Sequence, residues 1–203
     1  MADILTVGYG SRTIDEFVEL MHRYHVEVVC DVRSTPYSTR YGDFNREVFQ
    51  RAMKEAGLKY LFLGDLLGAR PSDPDLYVAG RASYDAMARS SMFRQGIERL
   101  EAGMDSYQIS LMCAEKDPLD CHRAILIART LQSDGVSVRH IDASGSIELQ
   151  HDLEKRMLRR YGLEQKSLFD SSPDSAAMLL AYERRGSDLA YDVDAAYKAR
   201  SMS

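Results

Sequence analysis

The stretch QISLMCAEKDPLDCHRAILIARTLQSDGVSVRHI, residues 108–141, decides the fold. An apolar run over residues 108–113 predicts a buried strand, residues 121–133 follow with helical periodicity, and a β-branched run over residues 136–141 predicts a second strand. Gly135 separates this helix from the second strand, a frequent position for glycine after a helix. A strand, a helix and a strand in this order predict a βαβ unit with parallel strands.

The same alternation extends toward the N-terminus. Further buried strands are predicted from Ile4 to Val7, from Val26 to Val32 and from Leu58 to Leu63. Thr13, with Glu16 three residues later, predicts a capping box at the start of the first helix. We therefore expect an α/β domain with a mostly parallel sheet of about five strands, flanked by helices.

Two segments between the third strand and residue 108 differ in character. Residues 64–80 include Pro71, Pro74 and several glycines, which predicts a long loop. Loops of this length in compact domains are often functional. The following segment, Ser83 to Ala102, is periodic enough to predict one helix.

The chain is expected to divide at residue 144. Residues 1–144 carry the βα alternation and form the predicted core domain, and residues 145–203 form a helical C-terminal extension. Within the extension, helical patches lie at residues 148–161 and 175–185, with a linker near residues 170–175.

Length and charge exclude several classes of protein. The 203 residues suit one ordinary domain with an appendage. Lys and Arg number 26 against 31 Asp and Glu, a net charge of −5, which argues against a protein that coats nucleic acid through bulk charge. No apolar run reaches the roughly 18 residues of a membrane helix and no signal peptide is seen, so we expect a cytoplasmic protein without membrane contact. The composition is also compatible with a homo-oligomer.

The three cysteines are an odd number in a chain without a secretion signal, so they are expected to be thiols rather than disulfides. Cys113 ends a predicted strand and is a candidate nucleophile, with Glu115 and His122 nearby to handle protons. The alternative is that Cys113 is a buried apolar residue. Cys30, inside an apolar strand, is expected to be structural, and Cys121 is intermediate between the two.

Polar residues follow three of the predicted strands. In an open parallel sheet these positions meet at one edge, where ligands bind. They include Tyr9 after the first strand, Asp31, Arg33, Tyr37 and Arg40 at and after the second, and the segment from Cys113 through Lys116 to Arg123 after the fourth. A helix that begins at Cys121 would favour an anion at its first turn, and Arg123 would grip it. Alternatively, Arg123 packs or pairs with Asp120 or Asp117.

No cofactor is indicated, and the cofactor is therefore unknown. Gly8-Tyr9-Gly10 lacks the third glycine of a dinucleotide fingerprint and no Walker loop is present, so NAD and ATP are unsupported. Zinc sites usually have paired short spacings, whereas the candidate ligands Cys113, Cys121, His122 and His140 are spaced irregularly. No metal site is assigned on this pattern.

Several of these motifs match a known family. The runs are Thr6-Val7-Gly8-Tyr9-Gly10, Asp31-Val32-Arg33 with Pro36 and Ser38, Leu67-Gly68-Ala69-Arg70, and Cys113-Ala114-Glu115-Lys116 leading to Cys121-His122-Arg123. Together they resemble the domain of unknown function 488 family over about residues 4–151. Ala69 departs from the pattern, because the family usually carries a second glycine before the arginine. The resemblance implies an α/β domain and a shared polar site, with no established reaction.

The sequence predicts an enzyme with an anion-binding crevice that acts on a phosphorylated or nucleotide-type substrate. Five cations would form the crevice: Arg33, Arg40, Arg70, Lys116 and Arg123. Asp31 would orient an arginine or a substrate hydroxyl. The first alternative is a non-catalytic nucleic-acid-binding or regulatory module, in which Tyr9 and Tyr37 stack on bases. The second is a structural metal domain built on Cys113, Cys121 and a histidine.

Overall fold

A computed structural model describes residues 3–164 and 175–194. Its strands are β1 Asp3–Gly8, β2 Val28–Asp31, β3 Lys59–Phe62, β4 Tyr77–Val78, β5 Arg81–Ala82, β6 Ile109–Cys113, β7 Ser137–Ile141 and β8 Ile147–Leu149. Its α-helices are α1 Ile14–Arg23, α2 Arg46–Glu55, α3 Gly64–Leu67, α4 Tyr84–Arg89, α5 Ser91–Met104, α6 Arg129–Ser133, α7 Gln150–Arg160 and α8 Ser175–Leu189. A π-helix, Arg123–Ala128, leads directly into α6.

The main sheet has six strands in the order β3-β2-β6-β1-β7-β8. The first five are parallel to one another, and β8 pairs antiparallel with β7 at the edge. The predicted fold, a mostly parallel sheet flanked by helices, is confirmed. The strands β4 and β5 form a separate two-stranded ribbon.

Helix α1 shows how local sequence fixes the start of an element. Thr13 Oγ1 accepts a hydrogen bond from the Glu16 amide at 3.2 Å, and Glu16 Oε2 accepts one from the Thr13 amide at 2.8 Å. This is the predicted capping box, and such a cap stabilises a helix by about 1 kcal/mol. The helix then buries Phe17, Leu20 and Met21 against one face of the sheet.

Side chains alternate along the buried strands, so the sheet separates two apolar clusters. Along β1, Ile4 belongs to the larger cluster, while Leu5 and Val7 belong to the smaller one beneath α1 and α2. Strands covered on both faces therefore read as continuous apolar runs.

The predicted single helix from Ser83 to Ala102 is two helices, α4 and α5. The break falls at Ser90, whose side chain accepts a hydrogen bond from the Phe93 amide at 3.3 Å and so begins a new helix. The predicted loop over residues 64–80 contains α3, which packs closely on α5. A Cβ on Gly96 would lie 2.6 Å from Leu67 Cδ2, so this glycine permits the close approach.

The C-terminal extension contains α7 and α8, at the positions of the two predicted helical patches. The predicted linker near residues 170–175 lies outside the described residues except for residue 175, and the division at residue 144 stays a prediction. Among the residues that the structure describes, no helix has the length and apolar character needed to cross a bilayer.

Candidate functional site

A cavity of about 350 Å³ opens at the carboxyl ends of β1, β2 and β6. This is the edge at which open parallel sheets bind ligands. Eleven residues were predicted to take part in catalysis or substrate binding, and seven of them line this cavity: Tyr9, Arg33, Tyr37, Arg70, Cys113, Glu115 and His122. Four others, Asp31, Arg40, Lys116 and Arg123, lie outside its lining. The structure thus brings together the thiol, the carboxyl, the imidazole and two of the five predicted cations.

Two cysteines and a histidine converge at the cavity floor. The Sγ atoms of Cys113 and Cys121 lie 3.9 Å and 3.8 Å from Nδ1 of His122, and the three atoms all lie within 4.8 Å of one another. Each residue is at most 7% exposed. We call Cys113, Cys121, His122 and Glu115, whose Oε2 lies 2.9 Å from Cys121 Sγ, the thiol cluster.

A contact with the backbone of Val32 fixes the orientation of the His122 ring. Its Nε2 lies 3.0 Å from the carbonyl oxygen of Val32. A carbonyl oxygen only accepts, so Nε2 carries a proton and donates it, and the neutral ring has its lone pair on Nδ1. That lone pair faces the two sulfur atoms.

The two thiols have opposite tendencies to ionise. The hydrogen bond that Cys113 donates to Cys121, together with burial, raises the pKa of Cys113 well above its usual value. Burial also opposes ionisation of Cys121, but this same hydrogen bond and the charges of Arg123 and His122 lower the pKa of Cys121 well below its usual value. The pair therefore favours a thiol at Cys113 and a thiolate at Cys121.

The pKa values of Glu115 and His122, the other two members of the thiol cluster, are both raised. Loss of hydration around its carboxyl group, followed by the charge of Cys121, raises the pKa of Glu115 although the residue is partly solvent-exposed. Burial acts to lower the pKa of His122, but the charge of Cys121 outweighs it and the net shift is upward. Both groups thus hold a proton more tightly than they would in water.

Arg33 forms one wall of the cavity and is tied to Asp31 behind it. Its Nε and Nη2 donate to the two carboxylate oxygens of Asp31 at 2.9 Å and 2.6 Å, and Nη2 also donates to the Phe44 carbonyl. Burial lowers the pKa of Arg33, but the bonds to Asp31 outweigh this and raise it. Because Asp31 is fully buried and balances the guanidinium charge, Arg33 offers the cavity hydrogen bonds more than net charge.

Arg123 supports the site from within the protein, since it is 0% exposed. Its guanidinium donates to the carbonyl oxygens of Glu115 at 2.8 Å and Lys116 at 3.4 Å, and to Thr6 Oγ1 at 3.3 Å. The sequence assigned Arg123 to a substrate anion. In the structure it holds the loop that carries the thiol cluster.

Four other residues predicted for the site are not arranged as their predicted roles require. Arg40 is exposed, with its guanidinium 5.3 Å from the ring centre of Tyr41, and Lys116 lines a separate cavity with Asp117 and Asp142. The Tyr9 ring is stacked on Phe44 at 4.2 Å and is 4% exposed, so this face is not open to a base. Tyr37 is exposed and donates to Glu47 at 2.7 Å.

The sequence analysis missed the far wall of the cavity, which Tyr84, Leu189 and Tyr191 form. The guanidinium of Arg70 lies 4.6 Å from the ring centre of Tyr191, and the Ala82 amide donates to the Tyr191 carbonyl at 2.9 Å. Tyr191 lies in the predicted C-terminal extension, which the sequence analysis did not connect with the site. The sequence analysis placed Cys121 between the candidate nucleophile Cys113 and the structural Cys30. The signal that could have assigned Cys121 to the site was its position at the start of the predicted helix.

A polar chain below the site links the sheet to the C-terminal helices. The hydroxyl of Thr6 lies 2.8 Å from Nδ1 of His140, whose Nε2 bonds Gln150 Oε1. Gln150 then donates to Tyr182. Burial lowers the pKa of His140 from 6.5 to about 4, so the ring is neutral in the folded protein at pH 7.

This buried histidine predicts a loss of stability in mild acid. Its folded pKa is depressed, so its contribution is complete above 6.5 and is lost as pH falls toward 4, because only the unfolded chain takes up the proton readily. At 1.36 kcal/mol per unit this amounts to about 3 kcal/mol. Urea unfolding measures the free energy of unfolding of wild type and of His140→Gln between pH 7 and 4. We expect the difference between these two free energies to shrink by that amount as the pH falls. Parallel curves would remove His140 as the cause.

The fold and the site define an α/β protein that has a cavity at the carboxyl ends of its strands, with two cysteine side chains at the bottom of this cavity. The chain belongs to the family described as Domain of unknown function DUF488, whose model matches residues 13–130, more than half of the sequence. A search of curated proteins and a search of solved structures each returned no match.

Proposed function

We propose that this protein is a cytoplasmic enzyme that acts on a small phosphorylated or nucleotide-type substrate, with the thiol cluster as its reacting centre. The observation that carries the proposal is the convergence of two sulfurs, an imidazole and a carboxyl group on the floor of one cavity. Perturbed titratable groups of this kind cluster at functional sites. Free cysteines at these positions suit a reducing compartment.

The size and lining of the cavity support a small ligand. Its volume of about 350 Å³ falls within the range of small-molecule sites, about 300–1,000 Å³. Ser34, Thr35 and Ser38 line it beside Arg33 and bring hydroxyl groups for polar parts of a substrate. A polymer would need an open groove rather than a pocket of this volume.

Arg70 is the cation that supports an anionic substrate. The carboxylate of Asp31 balances the positive charge of Arg33. Within residues 3–164 and 175–194, by contrast, no carboxylate forms an ion pair with Arg70. Arg70 is exposed at the cavity, and its amide donates to Ser34 Oγ at 2.9 Å, which fixes the backbone beside the pocket. A phosphate group against Arg70 would place the rest of a small substrate above the thiol cluster.

The thiol cluster supplies groups for both parts of a substitution reaction. A sulfur of Cys113 or Cys121 faces the substrate, while Glu115 and His122 exchange protons with attacking and departing atoms. We keep the acid–base roles assigned from the sequence to Glu115 and His122. Cys121 joins Cys113 in the reacting centre because its Sγ lies 2.9 Å from Glu115 Oε2.

Arg70→Ala tests the anionic site. Loss of a charge-assisted hydrogen bond costs about 1.5–3 kcal/mol, so affinity for nucleoside monophosphates and sugar phosphates should fall by about 10- to 150-fold. Arg40→Ala is the matched control, because Arg40 is exposed and lies outside the cavity lining. Calorimetric titration of both variants measures the difference. Equal affinities would leave the anionic site without support.

The same substrate panel tests the reacting centre. Cys113→Ser and Cys121→Ser should bind the phosphorylated ligand as wild type does and lose turnover, while Cys30→Ser, a change inside β2, should keep turnover. Absence of binding and turnover across the panel in wild type would reject the proposed substrate class.

A further inference from the structure

The geometry points to a binding site for one thiophilic divalent cation, Zn²⁺, held by Cys113 Sγ, Cys121 Sγ and His122 Nδ1, with a fourth position open to the cavity. The inference rests on the proposed function only for the use of that open position. Metal binding itself can be measured without any substrate.

The distances suit a shared ion. Zinc binds sulfur at about 2.3 Å and imidazole nitrogen at about 2.0–2.1 Å, which places sulfur and nitrogen about 3.5–3.6 Å apart at a tetrahedral centre. The observed separations are 3.8 Å and 3.9 Å. Small rotations of buried side chains cover this difference of a few tenths of an ångström.

The His122 ring is placed to serve both sulfur atoms rather than one. The lone pair of His122 Nδ1 faces two sulfur atoms at nearly equal distance, and it can accept only one proton. A cation placed between the three atoms would contact all of them at once. The Nε2–H bond to the Val32 carbonyl is the kind of support that orients histidine ligands in metal sites.

The chemistry of the donor set selects the class of metal. Thiolate and imidazole ligands favour zinc and other thiophilic ions over Mg²⁺ or Ca²⁺, which prefer oxygen. Two thiolates also balance the charge of a divalent ion, so the occupied site would be neutral in its buried surroundings. This charge balance removes much of the cost of burying an ion there.

With the ion bound, Cys113, Cys121 and His122 would act as ligands instead of reacting themselves, and the reaction would take place at the open fourth position. Three protein ligands with one open position are typical of catalytic rather than structural zinc. Glu115 Oε2 lies beside Cys121 Sγ at 2.9 Å, where it can hold a proton for a group in the open position. The phosphate or another oxygen of a substrate bound at Arg70 would reach this position from the cavity.

Metal titration of the full chain tests the inference. The protein, stripped of metal under reducing conditions, is titrated with Zn²⁺ and, as a spectroscopic probe, with Co²⁺. We expect one equivalent of each, and a near-ultraviolet sulfur-to-cobalt band that falls to about half in Cys113→Ser and in Cys121→Ser. Each of these variants, and His122→Ala, should lose at least about 100-fold in zinc affinity, more than is typical for losing only a supporting partner of a ligand.

Cys30→Ser is the matched control, since it removes a buried cysteine that lies inside β2. It should retain full affinity and the full cobalt band. The inference is overturned if wild type binds zinc no more tightly than the Cys113→Ser, Cys121→Ser double variant, or if Cys30→Ser loses affinity equally. Turnover of phosphorylated substrates without bound metal would keep the proposed enzyme and reject a role for the ion in its reaction. Zinc binding without turnover of any member of the substrate panel would keep the ion site and reject the proposed enzyme.

Discussion

Gly8→Ala is expected to destabilise the protein by about 3 kcal/mol or more. A Cβ at this position would lie 1.7 Å from the carbonyl oxygen of Glu115 and 2.7 Å from its carbonyl carbon. Overpacking a core typically costs about 1–3 kcal/mol even where side chains can adjust, and here the obstacle is backbone. Because Arg123 holds that same carbonyl, the loop cannot move away without losing this support. Urea unfolding monitored by circular dichroism measures the loss.

Gly42→Ala provides the matched control. A Cβ on Gly42 would meet its nearest neighbour, Asn45 Nδ2, only at 4.0 Å, so we expect a change within about 0.5 kcal/mol. If Gly8→Ala were as mild as Gly42→Ala, the close approach of β1 to the loop after β6 would be wrong. The displacement of Glu115 in Gly8→Ala should also lower turnover of the phosphorylated substrate.

Arg33→Met is expected to cost about 3–5 kcal/mol, as is usual when one partner of a buried ion pair is removed. The fully buried Asp31 would keep two hydrogen bonds, from the Tyr60 hydroxyl at 2.8 Å and from the backbone amide of residue 33 at 3.1 Å, but would lose the two from the Arg33 guanidinium. Its negative charge would then be largely uncompensated in the interior. Chemical unfolding at pH 7 measures the loss.

A double-mutant cycle with Asp31→Asn separates the pair from packing. Asp31→Asn alone leaves the Arg33 charge without its partner, and the double variant removes both charges, so it should be more stable than the sum of the single losses predicts. Strict additivity of the two losses would show that Arg33 and Asp31 do not interact as the geometry indicates.

The parts of the fold that local sequence controls were predicted well. Strand β6 and helix α1 lie where apolar period and the Thr13 capping box placed them. Ser90 shows the limit of periodicity, because a serine inside a periodic segment gives no warning that it will cap a second helix. The order of strands in the sheet depends on contacts distant in sequence and had no local signal.

The site was predictable in its location and less so in its membership. The rule that strand ends converge brought Tyr9, Arg33 and Cys113 to one cavity. The same rule cannot tell which way a long side chain turns, and Arg123 turned inward to bond loop carbonyls. The contact between Arg70 and Tyr191 joins residues more than a hundred positions apart, so only the tertiary fold reveals it.

The far wall of the cavity has a consequence for biosynthesis. Leu189 and Tyr191 are translated some seventy residues after His122, the last residue of the thiol cluster. Chains emerge from the ribosome N-terminal end first, at about 5–20 residues per second, so the cavity lacks this wall for several seconds. During that interval the nascent polypeptide carries both cysteines of the thiol cluster without the far wall of their cavity. A chain that stopped before residue 189 would therefore contain every residue of the thiol cluster and an incomplete cavity.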